Sequence, residues 1–110
     1  MRREDRIRLQ HMLDAAKQAQ QFILGRERQD LDHDRQLLFA VIRCIEIIGE
    51  AVSKVSSDTQ AKHRAIPWAE MRGMRNRLIH AYFDINVRLV WDTVTDDLPP
   101  PISQLLLGAK

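Results

Sequence analysis

The 110 residues, 45% hydrophobic and 29% charged with only 5% aromatics, fit one domain and favour helices over a sheet sandwich. A formal net charge of +2 and an isoelectric point near 9.0 are too mild to establish nucleic-acid binding, which needs a local basic patch. The lone cysteine, Cys44, excludes an internal disulfide; set among Ile42, Ile45 and Ile48, it reads as a small core residue in a reducing compartment.

In chain order, the start Met1-Arg2-Arg3-Glu4-Asp5-Arg6 is basic, but charged and polar residues recur through Arg8, Gln10, His11, Asp14 and Lys17, so no signal-peptide core follows. Nor does any apolar run approach the roughly 20 residues of a membrane span, and a cytoplasmic protein is expected. From about Asp5 to Leu24, Met12, Ala16, Ala19 and Ile23 form a stripe of helical period, with Ile7, Leu9, Ala15 and Phe22 beside it. Gly25 is a natural stop. Residues 26–33 read as a charged turn between antiparallel helices, with Asp side chains at hand for capping.

The second helix, about Asp34 to Ser56, carries Leu37, Val41, Ile45, Ile48, Val52 and Val55 on one face without a proline. Arg43, Glu46 and Glu50 fall nearly opposite. They form either a solvated face, with Arg43–Glu46 and Glu50–Lys54 as surface pairs, or a face turned to a partner or to the motif described below. Ser56-Ser57-Asp58-Thr59 is cap chemistry leading into a short helical piece at 60–64. Pro67 suits the first turn of a further helix, with Trp68, Met71, Met74 or Arg75, Leu78 and Ile79 on its apolar side. Asp84 and Asn86 offer caps for a last helix through Val87, Val90, Trp91 and Val94. The run Pro99-Pro100-Pro101 breaks or restarts it, and Ile102, Leu105, Leu106 and Leu107 supply a final packed turn. The expected architecture is an all-α, up-and-down bundle of four to five helices, one domain over residues 1–110.

The polar residues cluster in one stretch, Met71 to Tyr82, where Arg75, four residues, His80, one residue and Tyr82 give Arg-x4-His-x-Tyr. No glycine-rich phosphate loop, zinc spacing or serine elbow is present, and no metal or cofactor is expected. Arg75, Asn76, Arg77, His80 and Tyr82 combine two guanidinium forks for phosphate, an imidazole that titrates near neutrality, and a hydroxyl. That set suits phosphodiester cleavage without a metal, in which an RNA 2′-OH attacks the adjacent phosphorus. Five residues of regular helix turn the chain by about 500°, so positions 75 and 80 point some 140° apart, whereas 75 and 82 nearly align. Either the helix ends or distorts between them, or a two-fold dimer brings two motifs into one groove. Packing alone, with solvated arginines, is the plain alternative for these residues.

The motif, with Ile66-Pro67-Trp68 before it, Asp84, Val90-Trp91 and Asp97-Leu98-Pro99 after it, and Arg43-x-x-Glu46-x-x-x-Glu50 upstream, resembles the HepT family of HEPN-domain toxins over roughly Asp5 to Leu106. The resemblance implies a HEPN-like bundle that forms a homodimer, an endoribonuclease toxin acting on RNA, and Arg75 and His80 as its catalytic pair. It also implies that a nucleotidyltransferase antitoxin of the MntA type adenylylates Tyr82 and silences the enzyme. Asn76, Arg77 and Glu46 would support the site. A non-catalytic nucleotide-binding or adaptor module partnering a nucleotidyltransferase is the alternative.

Overall fold

A computed structural model of the chain describes residues 1–80, 87–99 and 102, and for residues 75 and 77–80 it describes the backbone alone. The fold is all-α, and no strand occurs among the described residues. The elements are α1 (Arg3–Ile23), α2 (Asp30–His33), α3 (Arg35–Lys54), α4 (Ser57–Lys62), α5 (Trp68–His80), α6 (Val87–Asp92) and a π-helical turn (Thr93–Asp97).

Helix α3 is the centre. Its apolar stripe, Leu37, Val41, Ile45, Ile48, Val52 and the following Val55, is buried as the period demands. Asp34 caps its start by accepting from the Leu37 amide at 3.1 Å, which satisfies one of the donors a helix N-terminus leaves open. Helix α1 packs on one side of α3 and α5 on another. Met12, Ala16 and Ala19 are fully buried along α1, and Leu9 with them, while Ile7 and Phe22 are exposed. At about 1.5–3 kcal/mol per fully buried large aliphatic side chain, this shared core dominates the favourable side of folding. Cys44 belongs to it, and burial pushes its thiol pKa up, as for an unreactive core residue.

The charged segment at 26–33 is not all turn: residues 30–33 form the single helical turn α2, and its buried Leu31 plugs the end of the core. Likewise α4 spans Ser57–Lys62, starting earlier than the piece expected at 60–64, because Ser56 serves as its cap.

Asp5 is the polar exception in the core. Only 3% exposed, it accepts from the Ser56 amide at 3.0 Å, the Ser56 hydroxyl at 2.5 Å and the Thr59 hydroxyl at 2.6 Å. Those bonds tie the start of α1 to the junction of α3 and α4, so α1 and α3 run antiparallel. The Ser56 hydroxyl first, then Thr59 and the Ser56 amide, hold the Asp5 carboxyl at a pKa of about 2, against the opposing effect of burial.

Helix α6 passes into the π turn, where the Leu98 amide donates to the Thr93 carbonyl at 3.0 Å. Val90, Val94, Leu98 and Ile102 bury there. The caps expected at Asp84 and Asn86, and the final turn at Leu105, Leu106 and Leu107, lie outside the described residues. No helix among the described residues is long and apolar enough to cross a membrane.

Candidate active site

The motif helix α5 starts directly after Pro67, whose carbonyl accepts from the Met71 amide at 3.0 Å. Its start is clamped to the preceding turn, because the Trp68 indole N–H donates to the His63 carbonyl at 3.0 Å. One turn on, the Arg72 guanidinium donates to the Gln60 side-chain carbonyl at 3.2 Å, joining α4 to α5. Trp68, Met71 and Met74 are buried and seat the helix on α3.

The backbone stays α-helical through residues 75 to 80. Of the two routes that would bring Arg75 and His80 together, an end or break of the helix between them is therefore absent, and the offset of about 140° stands. Position 75 follows buried Met71 by four residues and buried Trp68 by seven, which puts it between them on the core side of α5, next to the edge marked by exposed Arg72. Position 80 follows exposed Asn76 by four residues and half-buried Gly73 by seven, which puts it on the open side. The side chains of Arg75, Arg77 and His80, and Tyr82 altogether, lie outside the described residues.

Of the supporting residues, Asn76 is exposed on α5 and available to a ligand. Glu46 is on α3, with its side chain 25% exposed, and takes an ion pair from Arg43 at 3.2 Å. Arg43 also reaches Glu50 at 3.6 Å, so Arg43, Glu46 and Glu50 form one cluster on α3. No ion pair joins Glu50 to Lys54 among the described residues, nor does a hydrogen bond join Glu46 to Asn76. No group of three His, Cys, Asp or Glu side chains among the described residues is arranged to hold a metal.

A basic region around the motif was not apparent from whole-chain charge. Residues 60–80 contain Lys62, Arg64, Arg72, Arg75 and Arg77 against Glu70 alone, so the other 89 residues of a chain with net charge +2 are net acidic. The excess is local in the sequence, +4 within 21 residues. Only the Gln60–Arg72 and Trp68–His63 bonds show that α4, the turn and α5 form one corner, with Lys62, Arg64 and Arg72 all exposed on it.

Known proteins resemble this chain in sequence. The family model described as ribonuclease HepT-like matches residues 12–106. A protein of Thermococcus cleftensis named a probable ribonuclease HepT is 40% identical over 99 residues, 90% of each chain. A protein of Caldanaerobacter subterraneus subsp. tengcongensis, named as a candidate RNase, is 37% identical over 83% of this chain and 81% of its own. Another so named, from Methanocaldococcus jannaschii, is 36% identical over 89% of this chain and 90% of its own. No solved structure matches the chain. The family match covers α3, the whole of α5 and the segment beyond it, and on it the chain belongs to the HepT-like ribonuclease family.

Proposed function

We propose that this protein is a metal-independent endoribonuclease, the toxin of a toxin–antitoxin pair, whose active cleft is built from the α5 helices of two chains. The observation that carries the reading is the unbroken helix from Arg75 to His80 in a chain of the HepT-like ribonuclease family. At about 1.5 Å rise per residue, the two positions are some 7.5 Å apart along the axis and face different ways, so one helix does not aim both at one phosphate. A two-fold axis beside α5 sets Arg75 of one chain against His80 of the other.

In that cleft a His80 imidazole takes the proton from the RNA 2′-OH, whose oxygen bonds to the adjacent phosphorus. The bond from phosphorus to the 5′-oxygen breaks, and that oxygen leaves as a hydroxyl with a proton from the second His80 or from water. The products are a 2′,3′-cyclic phosphate and a 5′-hydroxyl. Arg75 holds the phosphoryl oxygens as charge grows on them, with Asn76 and Arg77 beside it. Glu46 steadies the site from α3. A nucleotidyltransferase antitoxin silences the enzyme by transferring AMP from ATP to the Tyr82 hydroxyl with release of pyrophosphate, which adds a bulky anionic group two residues beyond His80.

Purified protein in EDTA is expected to cleave RNA, leaving cyclic-phosphate ends, and His80→Ala to abolish cleavage. Equal cleavage by both proteins overturns the assignment. Dependence of the wild type on added metal overturns its metal-independent form.

A further inference from the structure

We propose that the corner joining α4 to α5, with Lys62, Arg64 and Arg72, is a second RNA-binding surface that holds the sugar–phosphate backbone away from the cleaved bond. The proposal rests on the RNA-cleaving reading above and extends it to residues outside the motif. All three side chains are exposed, and no carboxylate of the described residues pairs with any of them. Arg72 is held by the neutral Gln60 side chain, which fixes its direction and leaves its charge whole. Trp68 pins the turn that carries Arg64, so the cations sit on a rigid frame and lose little freedom when they bind.

Beside this corner lies a cleft of about 290 Å³ lined by Lys62, His63, Thr59, Asp58, Arg2 and Met1. Its one carboxylate, Asp58, is met by Arg2 at 3.7 Å across an exposed gap, which leaves Lys62 uncompensated. Asp5 lies behind Thr59 of the cleft wall but is 3% exposed and its charge is met by the Ser56 and Thr59 donors, while Glu70 is about 160° around α5 from Arg72 and faces away from the corner.

The chemistry of the corner fits a polyanion better than a protein. The exposed large apolar side chains among the described residues, Met1, Ile7, Phe22, Leu24 and Phe39, lie on the N-terminal segment, α1, the residue after it and α3. Only Met1 borders the cleft, so the apolar centre of a protein interface is missing. Arg72 stands eight residues before His80, about 12 Å along the helix axis. With stacked nucleotides rising about 3.4 Å each, a strand lying over the motif reaches Arg72 within roughly four nucleotides and the cleft beyond it shortly after. The corner therefore extends the footprint along one strand, and because it holds phosphate it does so without regard to base sequence.

The test uses the full chain and a single-stranded DNA of about 20 nucleotides, which has the phosphates but lacks the 2′-OH needed for cleavage. Fluorescence anisotropy gives the dissociation constant from about 50 to 200 mM salt. For Lys62→Gln with Arg64→Gln, the slope of log affinity against log salt is expected to fall in magnitude by about 1.4, near 0.7 for each lost phosphate contact. The variant then loses about sevenfold less affinity than wild type across that range. Lys17→Gln with Arg26→Gln removes the same charge from the exposed surface of α1 and its following loop, and should leave the slope unchanged. An unaltered slope in the corner variant overturns the proposal, and so does an equal fall in the control pair, which would mark a diffuse effect of net charge. If wild type cleaves RNA while the corner slope is unaltered, the cleavage reading stands and only the corner falls. If the corner slope falls but RNA is never cut, the corner stands and the cleavage reading falls.

Discussion

If Arg75 and His80 act as proposed, an unbroken α5 requires the pair at one phosphate to come from two chains, and subunit mixing measures it. At a side-chain radius of about 5.5 Å, points 140° apart are separated by some 10 Å across the helix, and with the 7.5 Å rise by roughly 13 Å. A phosphate held by hydrogen bonds of about 3 Å on both sides does not span that gap. In a two-fold dimer there are two pairs in trans, Arg75 of each chain with His80 of the other. Arg75→Ala and His80→Ala chains are each expected to be inactive as homodimers. Co-expressed with different affinity tags and purified through both, they give heterodimers in which one trans pair of two is intact, and about half of wild-type cleavage is expected. If the pair acts within one chain, each heterodimer pair lacks one member and no activity returns. Inactive heterodimers of normal stability and dimeric mass would therefore refute the shared cleft, as would a fully active monomer.

Asp5→Ala is expected to destabilise the fold by about 2–4 kcal/mol, since charge-assisted bonds from Ser56 and Thr59 are lost and their donors stay in the core. That corresponds to a fall in Tm of roughly 8–16 °C at about 4 °C per kcal/mol for a chain of this size. The folded pKa of Asp5, about 2, is below its unfolded value near 4, so its stabilisation is complete above pH 4 and fades as pH falls through 2. Urea unfolding should then show the gap between wild type and Asp5→Ala narrowing over that window, and a constant gap would contradict the assignment. At Gly73 an added Cβ meets nothing within 4 Å, so Gly73→Ala should stabilise the fold by about 0.5–1 kcal/mol, and a lower Tm would contradict it. Under the proposed silencing, Tyr82→Phe should abolish the added mass of AMP on co-expression with a nucleotidyltransferase antitoxin while growth inhibition persists; retained adenylylation would place the acceptor elsewhere.

The helices with a long uninterrupted period are the ones the sequence makes legible. Leu37 through Val55 recur at three and four residues, and every member of that stripe is buried, because a helix with one apolar face has only one way to hide it. Asp34 and Ser56 are legible as caps by the same local logic. Asp5 is not: a carboxylate in a charged first turn reads as solvated, and its partners are 51 and 54 residues away. Residues 30–33 mislead because their Asp side chains signal turns, while one buried leucine, Leu31, is enough to wind them into a helical turn. Of the site, the residue types and their spacing are legible, and so is the angle between Arg75 and His80. Whether the helix keeps that angle depends on tertiary contacts, since Gly73 inside α5 weakens the local preference for helix.

That last dependence decides what kind of damage should silence the site. Met71 and Met74 are the buried anchors of α5, supplemented by Trp68, and the opposite side carries Gly73, Asn76 and the position of His80. A helix of 13 residues with an interior glycine is marginal in isolation, so the aim of the motif is set by the bonds at Trp68 and Arg72 and by packing on α3. Cleavage should therefore be more sensitive to Met71→Ala than to an equally destabilising change in α1, such as Leu9→Ala, although both side chains are fully buried. The α1 change taxes the global fold and leaves the folded fraction aimed correctly. The α5 change loosens the helix within the folded molecule, and a displacement near 1 Å is enough to cost about a hundredfold in rate. Specific activity per folded molecule, compared at equal measured stability, separates the two, and equal loss in both would place the control of aim outside the packing of α5.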